Sequence, residues 1–410
     1  MTNPSRVAVI GAGPGGLMAA DVLQRRGLAV TVFDRMPSAG RKLLLAGRGG
    51  LNLTHSEPID TLLDHYGAAR PRLEDAIRAF PPDALRAWCA GLGQPTFVGS
   101  SGRVFPEAFR ATPLLRAWLR DLTARGVEFR MRHTWHGWSD GGALRFTDAT
   151  GGELLVSPDA TVLALGGASW PRTGSDGAWV GPVARAGIRV EHLRPANCGF
   201  EVVWSPRFAE RFAGVPLKNI RLTAPDGSSV RAEAMITTAG IEGGAVYALA
   251  ATLRDAIAVE GGATLTVDLH PDVSVSALSE RLDRRRAGDS ASTFLKRAGG
   301  LSPVEIALLR EDERGATSLP LDDSPALAER IKNTRLRLTA TRPIERAISS
   351  AGGVALDEID GDWMLTRRPG VFVVGEMADW EAPTGGYLLQ ATFSIAVAAA
   401  TGVTRYLGGS

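Results

Sequence analysis

Residues 6–34 read RVAVIGAGPGGLMAADVLQRRGLAVTVFD. Val7 to Ile10 is an apolar strand, Gly11 to Gly16 a glycine-rich turn, and Leu17 to Arg26 a helical stretch closed by Gly27. Ala29 to Phe33 returns as a second strand, which completes one βαβ unit. Gly11-Ala12-Gly13-Pro14-Gly15-Gly16 matches Gly-x-Gly-x-x-Gly, and Asp34 follows 23 positions after Gly11. A carboxylate about 20 residues along is placed to meet a ribose hydroxyl. Gly11 allows the tight turn, Gly13 lets backbone amides approach a pyrophosphate, and Gly16 lets helix and strand pack closely. The helix start at Pro14 and Gly15 supplies a positive dipole end. The plain alternative is a glycine turn without a ligand, but the strand, helix and acidic residue around it argue for a dinucleotide. The sequence has no second copy of the pattern, so one dinucleotide is held firmly and any reductant binds without this fingerprint.

A chain of 410 residues has length for two or three domains and a large core. With 44% hydrophobic and 22% charged residues, it has the composition of an ordinary soluble globular protein. A net charge of +2 gives no global electrostatic case for nucleic acid or an anionic membrane. Cys89 and Cys198 are the only cysteines, which excludes a disulfide framework and zinc-finger spacing. His55, His65, His133, His136, His192 and His270 show no ligand spacing, so no metal is expected. The first residues lead straight into a strand without signal-peptide features, which points to the cytoplasm. Tyr387 to Val403 is apolar but carries Gln390, Thr392, Ser394 and Thr401, which suits a buried core helix better than a membrane span.

Gly40 to His55, rich in Gly and Arg, reads as an irregular loop, and Asp60 to Arg125 as mainly helical. Val127 to Trp138, Leu144 to Thr147 and Glu153 to Val156 read as antiparallel strands, and Thr161 to Leu165 as a buried parallel one. Beyond about Ala186 short alternating segments suggest a compact β domain, followed by helices from Ser274 to Lys332. Gly353 to Leu356 and Val371 to Val374 return to the first style. The fold class is therefore α/β, a Rossmann-like dinucleotide domain (1–189 and 339–410) split by an insert (190–338).

Four segments carry a closer likeness. They are Gly40-Arg41-Lys42 with Ala46-Gly47-Arg48-Gly49-Gly50-Leu51-Asn52-Leu53-Thr54; Gly166-Gly167 with Pro171-Arg172-Thr173-Gly174-Ser175-Asp176-Gly177; Ala351-Gly352-Gly353-Val354; and Gly375-Glu376 with Pro383-Thr384-Gly385-Gly386-Tyr387-Leu388-Leu389-Gln390. In this order, and over the whole chain, they resemble the BaiN/RdsA family of bacterial FAD-dependent oxidoreductases. The resemblance implies non-covalent FAD, an insert made of a β-barrel (190–272) and a helical part (273–338), and NAD(P)H as a transient reductant. It implies cofactor contacts from Arg35, Arg41, Lys42, Gly47, Gly49 and Asn52, and from Gly166, Gly167 and Thr173. At the C-terminal side it implies Gly375 and Glu376 near the ribityl and phosphate region, and Thr384, Gly385, Gly386 and Tyr387 near the flavin ring.

The chain also departs from that family. Leu51 stands where relatives usually have cysteine, the arginine has moved to Arg48, and Thr237 to Gly244 lacks the usual histidine and serine. Steroid-type and ribosomal-uridine double-bond reductions, the activities of relatives, therefore transfer as reaction type: an NAD(P)H-driven reduction of a polarised C=C bond in an unidentified small molecule. Such chemistry needs a proton donor beside the hydride donor. Tyr387 and Glu242 are the candidates for that role, Arg48 for binding an anionic or carbonyl substrate, and His55 is an outsider. Each also has an ordinary reading, as packed aromatic, surface charge, phosphate contact and loop residue respectively. Arg281, Arg284, Arg285, Arg286, Arg330, Lys332, Arg335 and Arg337 make the helical insert locally basic, which suits either RNA or a solvated face diluted by Glu280, Asp283 and Glu329. A flavin-carrying sensor or assembly protein is the third class. Substrate, choice of NADH or NADPH, and oligomeric state stay open.

Overall fold

A computed structural model describes residues 4–286, 288–313 and 319–409, with the backbone alone at Arg48. The chain forms two compact units, residues 1–194 with 348–410 and residues 195–347.

The first unit is built on a five-stranded parallel sheet. β1 (Arg6–Ile10) is its centre, flanked by β2 (Ala29–Asp34) on one side and Ala160–Leu163 on the other. Glu128–Met131 extends the β2 side and Val371–Val373 the other. The strands are apolar throughout because helices cover them: Val9, Val32, Val162 and Val373 are all fully buried. α1 (Pro14–Arg25) and the C-terminal helix (Tyr387–Gly408) lie against one another in this core. That helix is long and apolar enough to cross a membrane, but most of it is buried inside the unit. Its polar residues have internal partners. Gln390 accepts from the Thr54 hydroxyl at 2.7 Å and donates to the Phe80 carbonyl at 2.7 Å, to which Ser394 also donates at 2.8 Å.

Local departures from the sequence reading have simple causes. Val127 to Trp138 is two strands, because Arg132 adopts a left-handed φ of 61°. Its first half joins the parallel sheet, and only Thr134–Trp138 enters the antiparallel sheet with Leu144–Thr147 and Glu153–Val156. Gly40 to His55 contains the helix Arg41–Ala46, a single 3₁₀ turn at Gly47–Gly49 and the short strand Thr54–His55.

The second unit is a closed barrel of six strands in the order Phe200–Val202, Gly240–Glu242, Ser229–Thr237, Pro216–Thr223, Ala263–Asp268 and Thr334–Thr341. Inward residues such as Phe200, Ile220, Ile236, Leu265 and Leu336 are fully buried. Thr334–Thr341 lies beyond the helical run yet pairs with both Ala263–Asp268 and Phe200–Val202. A barrel limited to 190–272 and an insert ending at 338 would cut that closing strand. Residues 190–194 belong to the first unit, where Val190–Ala196 pairs with Ser349–Val354.

Candidate cofactor site

The glycine turn is fixed by sterics. Gly11 donates to the Phe33 carbonyl at 2.8 Å with φ 109°, and a Cβ there would stand 2.2 Å from the Ala164 carbonyl oxygen. A Cβ on Gly16 would meet the Gly11 oxygen at 1.9 Å. Gly13 has nothing within 4 Å, so its space is left for something other than protein. α1 then starts at Pro14, with no acidic side chain in its first turn to consume the free amides. Asp34 braces the turn: Oδ2 accepts from Ala12 N and Oδ1 from Met36 N, both at 2.7 Å. Burial pushes its carboxyl above the ordinary aspartate value, and these amide donors oppose the shift.

The turn opens on a cavity of about 260 Å³. Gly11, Gly13, Pro14 and Gly15 line it, with Asp34 and Arg35 at the end of β2, and Arg41 and Lys42 from the helix that follows. Gly166 and Thr173 come from the loop after Ala160–Leu163, and Gly375 and Glu376 from the loop after Val371–Val373. The apolar wall includes Phe33, Trp135, Trp179, Trp380, Leu388 and Leu389. Trp179 and Trp380 are oriented by donation to the Gly166 and Gly375 carbonyls, each at 2.8 Å.

Charges in the cavity are partly matched. Lys42 Nζ donates to Glu376 Oε2 and to the Ser169 hydroxyl, both at 2.7 Å, and Glu376 Oε1 accepts from Ser350 N at 2.8 Å. Arg35 pairs with Asp176 at 2.9 Å. Among the described residues, Arg41 Nε, Ser175 Oγ and Trp135 Nε1 are buried with no hydrogen-bond partner. All three residues line the cavity. Buried donors left open around an apolar slot, a helix start and a bare Gly13 together fit a bound dinucleotide.

Other expected site residues are not among those that line the cavity. Gly16 packs under the turn, and Gly167 packs on Ser350, whose Oγ would be 2.0 Å from an added Cβ. Gly47 abuts Ala111, Gly49 faces open space, and Asn52 Oδ1 is buried without a partner. Thr384, Gly385 and Gly386 lead into the C-terminal helix; Gly386 has φ 101° and lies so close to Thr54 that a Cβ would reach its backbone at 2.5 Å. The Tyr387 ring turns toward His65 and His55, and its hydroxyl lies against the Glu57 carboxylate. Glu242 is on the barrel strand Gly240–Glu242 of the second unit, next to Gly199. The side chain of Arg48 lies outside the described residues. Ser175, Trp135 and Trp380 were not expected in the cavity; Ser175 sits inside a quoted loop motif, but no local pattern marks the two tryptophans.

In the helical part of the second unit, the basic cluster is largely paired. Arg285 bonds Asp322, Arg330 Asp312, Lys332 Asp268 and Arg335 Glu313. Among the described residues no group of His, Cys, Asp and Glu could hold a metal ion.

A split parallel sheet with a glycine turn, an acidic strand end and an inserted barrel defines a Rossmann-type flavoprotein oxidoreductase. Residues 5–402 match the HI0933-like protein Rossmann domain, and the chain belongs to that family of FAD-dependent oxidoreductases. It is 24% identical over 402 residues to the ribosomal RNA dihydrouridine synthase of Escherichia coli, covering 96% of each chain. It is likewise 24% identical to the protein of that name from Haemophilus influenzae, covering 99% of this chain and all of the other. In fold it is similar to 3-ketosteroid Δ1-dehydrogenase from Sterolibacterium denitrificans, with a TM-score of 0.53, 15% identity and coverage of 98% and 100%.

Proposed function

We propose that this oxidoreductase uses NAD(P)H, through FAD, to reduce a polarised C=C bond in a small-molecule substrate in the cytoplasm. The observation that carries the reading is the cavity whose lining residues Arg41, Ser175 and Trp135 each hold a buried polar atom without a partner, beside a single dinucleotide turn. Bound FAD supplies hydride transfer. Gly11 to Gly16 and the start of α1 hold its pyrophosphate, Asp34 its ribose, and Lys42 with Glu376 its central region. Arg48 binds a carbonyl or anionic group of the substrate. Tyr387, with its hydroxyl turned to Glu57, serves as a positioning residue. Purified protein should be yellow, bleach when titrated anaerobically with NADH or NADPH, and recover when an electron-poor alkene is added. Protein that never binds FAD overturns this reading.

An RNA substrate is the second reading, favoured by the end-to-end match to two proteins named ribosomal RNA dihydrouridine synthase. Arg281, Arg284 and Arg286 would then meet phosphates, because Arg285, Arg330, Lys332 and Arg335 are paired. Binding of ribosomal RNA that weakens steeply with salt, with dihydrouridine formed on NAD(P)H addition, supports it. No binding at low salt ends it.

A further inference from the structure

The start of the C-terminal helix separates the cofactor cavity from a cluster of ionisable side chains. Leu388, Leu389 and Thr392 line the cavity. Tyr387, 6% exposed, faces away from it, with its ring centroid 4.1 Å from that of His65 and 5.7 Å from that of His55. Tyr66 fixes the same residue by donating to the Tyr387 carbonyl at 2.8 Å. The Tyr387 hydroxyl lies against Glu57, and burial together with that carboxylate drives its pKa upward, so the phenol stays protonated.

Glu57 is the unusual member. Its Oε1 is buried and accepts no hydrogen bond, although His55 Nδ1 is 3.5 Å away and His65 Nε2 3.3 Å away. His55 is otherwise engaged. Glu57 N donates to its Nδ1 at 3.3 Å, and its Nε2 donates to the Ser101 carbonyl at 2.9 Å. That tautomer leaves His55 without a proton for the carboxylate. His65, with a third of its side chain exposed, the Tyr387 hydroxyl and the charge of nearby Arg103 are left to offset it.

A carboxylate with one unpartnered oxygen thus sits at the hydroxyl end of Tyr387, the first residue of a 22-residue helix whose N-terminus has no acidic residue of its own. The free amides there carry a positive partial charge, and a low-dielectric surrounding lets Glu57 cancel part of it. We propose that Glu57, held by Tyr387 and His65, is a charge-setting and positioning site: it fixes the helix start and weakens its attraction for negative charge in the cavity. FAD gains negative charge on reduction, so Glu57 favours the oxidised form and makes the reduced cofactor a stronger donor. This rests on the reading of the cavity as the FAD site.

The test uses holoprotein and reads FAD absorbance for occupancy and a potentiometric titration for the relative affinity of reduced and oxidised FAD. Glu57→Gln is expected to keep FAD and raise the reduced-to-oxidised affinity ratio about tenfold, equivalent to roughly 30 mV for a two-electron couple. Tyr387→Phe keeps the ring but removes the hydroxyl that offsets the carboxylate, so the ratio falls severalfold. Glu57→Asp restores the wild-type ratio. Shifts of opposite sign are not produced by a purely structural cluster, which would alter only occupancy and thermal stability. A Glu57→Gln protein that holds FAD with an unchanged ratio overturns the proposal, as do shifts of the same sign in both variants. If Glu57→Gln loses FAD, His65→Gln is decisive: a fall in the ratio supports the proposal and an unchanged ratio overturns it. Wild-type protein that binds no FAD would instead refute the cofactor reading.

Discussion

Lys42 and Glu376 are 334 positions apart in sequence, yet Lys42 Nζ meets Glu376 Oε2 at 2.7 Å inside the cavity. The pair joins the segment after the glycine turn to the loop after the edge strand, and both residues stay partly open to a ligand. Lys42→Met should leave the Glu376 carboxylate uncompensated and facing an anionic cofactor. We expect FAD affinity to fall about tenfold, in line with one partly screened charge-assisted hydrogen bond, as measured by quenching of free flavin fluorescence. Equal affinity in the variant would separate this pair from cofactor binding.

Gly11 and Gly13 should respond differently to the same change. Gly11→Ala places a methyl group 2.2 Å from the Ala164 carbonyl oxygen at φ 109°, which we expect to cost about 2 kcal/mol or more of stability. Gly13→Ala meets no protein atom within 4 Å and should unfold at the wild-type temperature when free of cofactor, while binding FAD at least tenfold more weakly. Calorimetry with and without FAD distinguishes the two, and a Gly13→Ala protein with full affinity would remove the pyrophosphate from this turn.

Asp34 gives a pH dependence with a definite sign. Burial holds its carboxyl above 3.8, so across that interval the folded state binds more protons than the unfolded one. Stability contributed by Asp34 is then greatest when it is protonated, and it declines as pH rises through the folded pKa. In urea titrations of cofactor-free protein, the advantage of wild type over Asp34→Asn should shrink from below 3.8 toward neutrality. A difference that grows with pH would contradict this.

Asp21, on α1, is 2% exposed in its side chain and pairs with Arg125 at 2.6 Å and Arg25 at 2.7 Å, while accepting from the Trp88 indole at 2.9 Å. Asp21→Ala removes one of two carboxylates from Arg125, which keeps Asp121 at 2.6 Å, and leaves the indole without its acceptor. A loss of about 1–3 kcal/mol, the cost of an unsatisfied buried donor, is expected in chemical denaturation. Less than about 1 kcal/mol would show that water replaces the carboxylate.

The parts of the fold that local chemistry dictates were readable in the residues. The Gly11 to Gly16 turn announces itself because Gly11 and Gly16 have no room for a side chain, and Val7 to Ile10 and Thr161 to Leu165 read as buried strands because every position but Thr161 is apolar. Gln390 and Ser394 marked the C-terminal helix as core, and their bonds to Thr54 and Phe80 explain why. Long-range pairing was not readable in the same way. The alternating residues of Thr334–Thr341 form a strand, but nothing local says that they close a barrel begun at Phe200. Trp135 enters the cavity only because Arg132 turns the chain, and neither periodicity nor spacing carries that information. Tyr387 was recognised by position, whereas the direction of its hydroxyl depends on Glu57, some 330 residues earlier.

Because Gly375 and Glu376 follow Gly15 by about 360 positions, the order of synthesis matters. A nascent chain presents the glycine turn to the cell early, but the Ala160–Leu163 strand keeps a bare edge until Val371–Val373 leaves the ribosome. A coenzyme that needs both loops can therefore be captured only late in translation or after release.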